Sequence, residues 1–208
     1  MDPNTFPTKG NLILAKNSLA LAKQGFELMD KKRNILIREL MELIDKAKSI
    51  QDEIDITFTA AYAALQKANI EMGIYNVEEL SHTVPEENSI NINIRSIMGT
   101  EIPLVEYENP NQTPSYAFRG TKLSLDEAYN RFERVKELTI RLSMIENSAY
   151  RLATNIKKTQ KRANALKNIT IPRYTSLTTE IQNALEEKER EEFTRLKVIK
   201  RNKGKAKF

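Results

Sequence analysis

The 208-residue chain has no cysteine, no tryptophan and only one histidine, His82. The absence of thiols excludes a disulfide framework, a cysteine nucleophile and a cysteine-based zinc site, and one histidine is too few for a His-rich metal centre. The six glycines form no Gly-Lys-Ser/Thr phosphate loop. We therefore predict no catalytic, cofactor-binding or metal-binding residues, and a protein that is not an enzyme by itself.

Long apolar runs are also missing. No segment approaches the roughly 18 consecutive apolar residues that a membrane-spanning helix needs, and the N-terminal residues lack the pattern of a secretory signal. We expect a cytoplasmic protein with no direct membrane insertion, which associates with a membrane peripherally, through a partner.

The positive charge is concentrated at one terminus. The chain carries 33 basic and 28 acidic residues, a formal charge of +5, but residues 195–208 alone carry +7 and residues 1–194 therefore carry −2. No aromatic residues alternate with these cations, as a stacking platform for single strands would require. We expect no nucleic-acid partner. The minor alternative, nucleic-acid binding by the tail, predicts salt-dependent binding that is lost when residues 195–208 are deleted.

Helix-breaking residues divide the chain into four segments. No proline occurs between residues 8 and 84, and only Pro172 occurs after residue 114. This distribution predicts a mainly α fold, a long antiparallel two-helix coiled coil with a small central β-hairpin insertion. The predicted segments are a first helix over 8–75, a central loop and hairpin region over 76–123, a second helix over 124–197 and a basic tail over 198–208.

Both predicted helices carry apolar residues at alternating steps of three and four, from Leu12 to Ala68 and from Ala128 to Leu166. A 3.5-residue period held over so many heptads is typical of a left-handed coiled coil. The large apolar side chains of this predicted seam are Leu12, Leu19, Phe26, Leu36, Leu40, Leu43, Ile50 and Ile54 in the first helix, and Val135, Leu138, Leu142, Ile145, Leu152, Ile156 and Leu166 in the second. Thr8 is a candidate N-cap, and Ser124 with Glu127 fits a capping box.

The seam changes phase after Leu166, because the next apolar set begins eleven residues later at Leu177. Pro172 lies in this interval and is expected to bend the helix or interrupt it briefly. The interval is either a simple kink or a contact surface for a partner.

The central region predicts a β-hairpin. Ile90, Ile92 and Ile94 alternate with polar residues before Gly99, and Ile102 and Leu104 follow it. Pro103 restricts the second strand to an edge. An isolated hairpin is marginal in water, so this one is expected to pack on the coiled coil or on a partner. Residues 108–121 are expected to form a loop.

Three segments carry a family resemblance. Residues 7–40 begin with Pro-Thr-Lys and continue through Ala22 and Gly25 to Lys31 and Lys32; residues 159–172 read TQKRANALKNITIP; and residues 187–197 read EKEREEFTRLK. In this order and spacing they resemble the D subunit of the V-type and A-type rotary ATPases. Residues carried over from the family motifs as candidate partner contacts are Gly25, Lys31, Lys32, Arg162, Asn164, Pro172, Arg190, Arg195 and Lys197.

The resemblance implies a central-stalk rotor that transmits torque between an ATP-hydrolysing or ATP-synthesising hexamer and a membrane ring that moves H⁺ or Na⁺. The implied partners are the catalytic A and regulatory B subunits of the hexamer, the small F subunit on the side of the shaft, and a funnel-shaped subunit (C/d) on the membrane ring. The funnel-shaped subunit would contact the end of the coiled coil at which the chain reverses direction. No cofactor is implied. The alternative from a different class is a static coiled-coil tether or adaptor, monomeric or homodimeric.

Overall fold

A computed structural model describes residues 6–86, 88–107, 116–117 and 119–205. The helices are α1 (Lys9–Met72), α2 (Ile74–Ser81), α3 (Leu123–Ala165) and α4 (Ile171–Lys205), with a π-helical segment (Leu166–Thr170) joining the last two. Two strands, β1 (Ile90–Ile97) and β2 (Thr100–Tyr107), pair antiparallel. The expectation of a mainly α fold with a small β-hairpin is confirmed. Most of the predicted 108–121 loop lies outside the described residues.

The chain divides into two compact units. Unit 1 combines residues 1–33 with 157–208, and unit 2 comprises residues 34–156. In both units, helices that run antiparallel pack along the apolar stripe that the heptads place on each of them.

None of the fifteen predicted large seam side chains is exposed. The buried ones are Leu36, Ile54, Val135, Leu138, Ile145 and Leu152, and the remaining nine are half-buried. Two helices alone cover only part of each other's side chains, which explains the many intermediate positions. Full burial at Leu36 and Leu152 coincides with the place where the hairpin adds a third layer, since Ile102 completes that cluster.

In unit 2 the seam narrows to alanines near the end of α1. Ala61, Ala64 and Ala68 are buried, and Ala68 lies in a cluster with Tyr116 and Leu125 against which Tyr129 packs. Small residues on one helix therefore accommodate the larger side chains opposite them.

The expected interruption near Pro172 takes the form of a π-helical segment, which replaces the α-helical pattern over Leu166–Thr170 while the backbone stays helical. The five-residue π segment accommodates the proline, whose missing amide proton could not bond the carbonyl of Asn168 in an α-helix. Ile171 keeps helical dihedral angles, φ −63° and ψ −49°. The sequence therefore predicts a disturbance of the helix near Pro172 but not the π-helical conformation that accommodates the proline.

The π segment also explains the change of phase. A π turn inserts one extra residue into the helix, and the inward positions beyond it are Tyr174, Thr178 and Ile181. A regular continuation from Leu166 would instead direct Arg173 and Glu180 inward, and both are exposed.

The hairpin turns at Met98 and Gly99, whose φ angles are +48° and +71°. Two successive positive φ values are typical of the tight turn that matches strand twist, and glycine adopts this conformation without a steric penalty. Pro103 lies opposite Ile94, at a position where the β2 backbone faces α3. There Met144 Sδ accepts a hydrogen bond from the Val105 amide at 3.2 Å.

The predicted N-cap of the first helix is confirmed, whereas the predicted capping box of the second helix is not. Thr8 caps α1, because its hydroxyl accepts from the Asn11 amide at 3.2 Å. The capping box at Ser124 is wrong: α3 begins at Leu123, and the Ser124 hydroxyl donates to the Glu71 carboxylate at 2.8 Å.

The region expected to be a loop from residue 76 begins instead with helix α2. Gly73, at φ +87°, ends α1 and starts this short helix. At the other end of the chain, the predicted tail is still helical as far as Lys205.

Candidate interface surfaces

The described part of the chain has several exposed surfaces that are candidates for contact with other molecules. Among these residues no group of three or more His, Cys, Asp or Glu side chains could hold a metal ion. No described helix has the length and apolar character to cross a membrane. Every buried side-chain nitrogen or oxygen in the described residues has a hydrogen-bond partner.

In unit 1, Gly25 on α1 lies opposite Leu166, the first residue of the π segment. A β-carbon at this glycine would lie 3.7 Å from Leu166 Cδ1, an ordinary van der Waals distance. Beside it the Lys167 ammonium lies 5.9 Å from the centre of the Phe26 ring, a cation–π geometry. Ile169, in the middle of the π segment, is exposed.

A hydrogen-bonded chain of polar residues borders this site. Arg33 Nη1 donates to Gln160 Oε1 at 2.9 Å, and Gln160 Nε2 donates to Asn164 Oδ1 at 2.8 Å. Arg33 also pairs with Asp30 at 2.7 Å. These hydrogen bonds hold the exposed side chain of Asn164 in a fixed orientation, because its amide oxygen is engaged by Gln160.

A stripe of three leucines lies on the outer side of α1 in unit 1. Leu14, Leu21 and Leu28 recur every seven residues and are each about two-thirds exposed, from 64% to 68%. They form a second heptad series displaced from the seam. This seven-residue spacing of leucines is present in the sequence, but the longer seam series was the only one used for prediction.

The last part of α4 has exposed side chains throughout. Lys9, the first residue of α1, pairs with Glu189 at 3.1 Å, and every side chain over residues 186–203 is exposed. Arg190 and Arg195 approach only glutamates one turn earlier, at 3.9 Å and 3.6 Å. After Glu192 the described part of the helix contains no acid, and Phe193 and Leu196 add exposed apolar surface.

In unit 2 an apolar groove separates the hairpin from α3. It has a volume of about 510 Å³. Its apolar lining includes Ile90, Ile92 and Val105 on the hairpin and Ile140 and Met144 on α3, and polar side chains of α3, Ser143 and Asn147 among them, complete it. The same face of β1 carries further exposed apolar surface, because Ile92 and Ile94 are 66% and 68% exposed. Ile90 and Leu104 are also exposed, whereas Ile102 is buried.

At the other end of unit 2, α2 turns back onto the end of α1. Val77 and Leu80 pack against the cluster formed by Ala68, Tyr116 and Leu125. The Tyr116 hydroxyl donates to Asp126 Oδ1 at 2.6 Å. Burial, together with this hydrogen bond and the charge of Asp126, raises the pKa of Tyr116 above its ordinary value.

The comparisons with known proteins agree with one another. The family model for the D subunit of ATP synthase matches residues 11–201. The chain belongs to this ATP synthase D-subunit family. The D subunit of the V-type ATP synthase of Thermotoga neapolitana is 45% identical over 93% of this chain and 96% of its own length. The D subunits of the A-type ATP synthases of Methanosphaera stadtmanae and Pyrococcus furiosus are 37% and 38% identical over at least 92% of each chain.

All nine residues that carried the D-subunit resemblance lie in unit 1. Seven of them have exposed side chains: Lys31, Arg162, Asn164, Pro172, Arg190, Arg195 and Lys197. Gly25 and Lys32 are half-buried. Most of these residues therefore do not build the seam.

Sequence reasoning missed several features of this family member. It did not find the leucine stripe, helix α2 or the polar chain through Gln160. Helix α2 follows a glycine and spans only eight residues, too short for a periodic pattern to stand out. Arg33 occupies a seam position, and its polar character was visible, but the partner that satisfies it lies 127 residues away along the chain.

Proposed function

We propose that this family member is the central-stalk rotor shaft of a V/A-type ATPase and carries torque between the nucleotide-binding hexamer and the membrane ring. The observation that carries the proposal is the position of the family-motif residues. They cluster in unit 1 and are mostly directed outward, as expected for a surface that contacts other subunits.

The catalytic A and regulatory B subunits are the proposed partners of unit 1. The exposed end of α4 supports this, since Arg195, Lys197, Lys200, Arg201 and Lys203 give it a positive field that would attract acidic surfaces of a hexamer. The leucine stripe offers apolar contact area on α1 of the same unit.

Unit 2 is proposed to contact the membrane-side rotor, through the funnel-shaped subunit of the membrane ring. The small F subunit is proposed to bind along the coiled coil. The hairpin lies along α3, where Arg151 donates to the Glu101 carbonyl at 3.3 Å and Tyr107 lies 5.7 Å from the Lys136 ammonium. Its position on the side of α3 leaves the turn between α1 and α2 as a separate surface.

A shaft needs torsional continuity and no catalytic group. Helix α1 runs unbroken over 64 residues, and α3, the π segment and α4 form a second continuous helix. Because each helix contributes to both units, rotation applied to one unit would be transmitted through two covalent paths. The apolar seam would resist slippage between them, since each turn interlocks knobs with holes.

Co-purification tests the assignment to the complex. A tagged chain expressed in its own host should be recovered from membranes together with a nucleotide-binding hexamer and the membrane ring. Recovery without either assembly would contradict the proposal. A static tether remains the alternative, and it predicts the same co-purification but no rotation of the chain during ATP hydrolysis.

A further inference from the structure

Three polar side chains of unit 1 connect the coiled-coil seam with the surface. Arg33 occupies a seam position of α1, and its side chain is only 25% exposed. Its Nη1 donates to Gln160 Oε1 at 2.9 Å, and Gln160 Nε2 donates to Asn164 Oδ1 at 2.8 Å. Asn164 is exposed on α3. We call Arg33, Gln160 and Asn164 the polar relay.

The direction of both hydrogen bonds in the polar relay follows from Arg33. A guanidinium group can only donate, so Gln160 must turn its amide oxygen toward Arg33 and its amide nitrogen toward Asn164. Asn164 must in turn direct its oxygen toward Gln160, which leaves its two N–H donors facing away from the relay. Asp30 pairs with Arg33 Nη2 at 2.7 Å and holds the guanidinium in place.

The outward N–H groups of Asn164 are available to another molecule. No described residue accepts a hydrogen bond from them, and the side chain is exposed. Because the carboxamide is already held in one orientation, binding to these donors would cost little side-chain ordering, which favours affinity.

The charges around Asn164 favour a carboxylate as the acceptor. Residues 157–173 contain no acid and six basic side chains, namely Lys157, Lys158, Lys161, Arg162, Lys167 and Arg173. Lys161 and Lys157 precede Asn164 by three and seven residues, a spacing that places all three on one face of α3. Both lysines are exposed, so they would attract the same carboxylate.

We infer that Asn164 is a binding site for a carboxylate of a partner subunit, and that Arg33 and Gln160 are positioning residues that turn its donors outward. The inference rests on the proposed function, in which unit 1 contacts the A and B subunits of the hexamer. It adds the chemical group that is recognised at this face. It also gives a reason for a charged residue in the seam of α1.

The test measures binding of the full-length chain to the purified nucleotide-binding hexamer of the same complex. Gln160→Glu keeps the shape of the side chain but replaces its donor with an acceptor. The new carboxylate accepts from Arg33 and from the amide nitrogen of Asn164, so the carboxamide of Asn164 turns over and presents its oxygen outward. Asn168→Asp is the matched control, because it adds the same charge at an exposed position four residues away and leaves the polar relay intact.

Gln160→Glu should weaken binding at least about tenfold, since an oxygen atom then faces the carboxylate of the partner. Asn164→Asp, which also places an oxygen there, should have a similar effect. Asn168→Asp should change binding less than about threefold, as expected for a single surface charge. The unfolding temperature of Gln160→Glu should not fall, because its carboxylate pairs with Arg33.

Wild-type affinity in both Gln160→Glu and Asn164→Asp would overturn the inference and leave the rotor assignment intact. Equal weakening by Gln160→Glu and Asn168→Asp would also overturn it, because the added charge and not the orientation of the amide would then be the cause. A joint fall of binding and unfolding temperature in Gln160→Glu would reduce Gln160 to a structural role. A wild-type chain that does not bind the hexamer would contradict the proposed function, and the inference with it.

Discussion

At the residue scale, two glycines differ in what a side chain would encounter: a neighbouring side chain at one, and an unfavourable backbone conformation at the other. Gly25 is helical and a β-carbon there would meet only Leu166 at ordinary contact distance, whereas Gly73 has open space around it but a φ of +87°. The same substitution should therefore have opposite effects at the two sites.

Gly25→Ala should raise the free energy of unfolding by about 1 kcal/mol, because alanine is the better residue in a helix interior. Gly73→Ala is the paired control and should lower it by about 1 kcal/mol, because an L side chain is strained at positive φ. Chemical denaturation of both variants measures the difference. Loss of stability in Gly25→Ala would show that the helices cannot accommodate even a methyl group there.

Tyr116 provides a pH-dependent probe of the buried cluster that it forms with Ala68 and Leu125. Its pKa is raised in the folded protein by burial and by Asp126. The stabilisation from the neutral phenol is therefore complete below the unfolded pKa of about 10 and is lost as the pH rises through the folded pKa.

Tyr116→Phe should lower the free energy of unfolding by about 1.5 kcal/mol at pH 8, through loss of a hydrogen bond to a charged acceptor. Above pH 10 this difference should shrink by about 1.4 kcal/mol per pH unit, since only the wild type has a phenol that ionises on unfolding. A difference that stays constant from pH 8 to pH 11 would contradict the role assigned to this hydrogen bond.

At the element scale, the heptad pattern predicted two long helices that pair in a coiled coil, because a period of 3.5 needs a partner of the same kind. Their antiparallel arrangement was predicted from the helix breakers of the central region, where the chain can reverse direction. The isoleucine alternation and Gly99 likewise predicted the hairpin. Local patterns did not show that β2 would lie against α3, since that contact depends on Met144 and Arg151, about forty and fifty residues away along the chain.

The candidate contact residues were predictable only through the family resemblance. Arg162 and Asn164 are polar residues on a helix, and nothing in a coiled-coil pattern distinguishes them from solvent-facing neighbours.

The π segment leads to a prediction at this scale. Deleting Asn168, together with Pro172→Ala, removes the extra residue and the proline that requires it. A regular 3–4 continuation from Leu166 would then direct Ile171, Tyr174, Thr178, Ile181 and Leu185 inward, all of which are already buried or half-buried. The variant should therefore unfold at a temperature no lower than the wild type.

A large fall in that temperature would mean that the π turn is needed for packing within unit 1. Retained stability with reduced ATP-driven ion transport would assign the π segment to contacts with other subunits. Pro172→Ala alone is the control, since it keeps the residue count and the phase of the seam.

At the scale of the whole molecule, the charge distribution has a simple functional interpretation. The formal charge of +5 combines a basic end of α4 in unit 1 with an acidic stretch over residues 67–86 in unit 2. Surfaces of opposite charge would favour different binding partners for the two units and disfavour the binding of either partner to the wrong unit.

Torque transmission by a shaft should be most sensitive to substitutions in the coiled-coil seam. Leu152→Ala removes a fully buried side chain and should cost about 2–5 kcal/mol of stability. In the assembled complex, ATP-driven ion transport should fall more than ATP hydrolysis, because a loosened coil transmits less torque. Ile56→Ala, at an exposed position, is the control; equal loss of both activities would count against a shaft.

The most direct test of the rotor assignment follows a probe on the chain during ATP hydrolysis. With the hexamer immobilised, a bead is attached through a cysteine introduced at exposed Ile56, which is unambiguous because the chain has no cysteine of its own. A rotor shaft should turn the bead continuously in one direction and stop when ATP is removed. A complex that hydrolyses ATP at the normal rate while the bead only fluctuates about a fixed angle would contradict the rotor assignment and support a static tether.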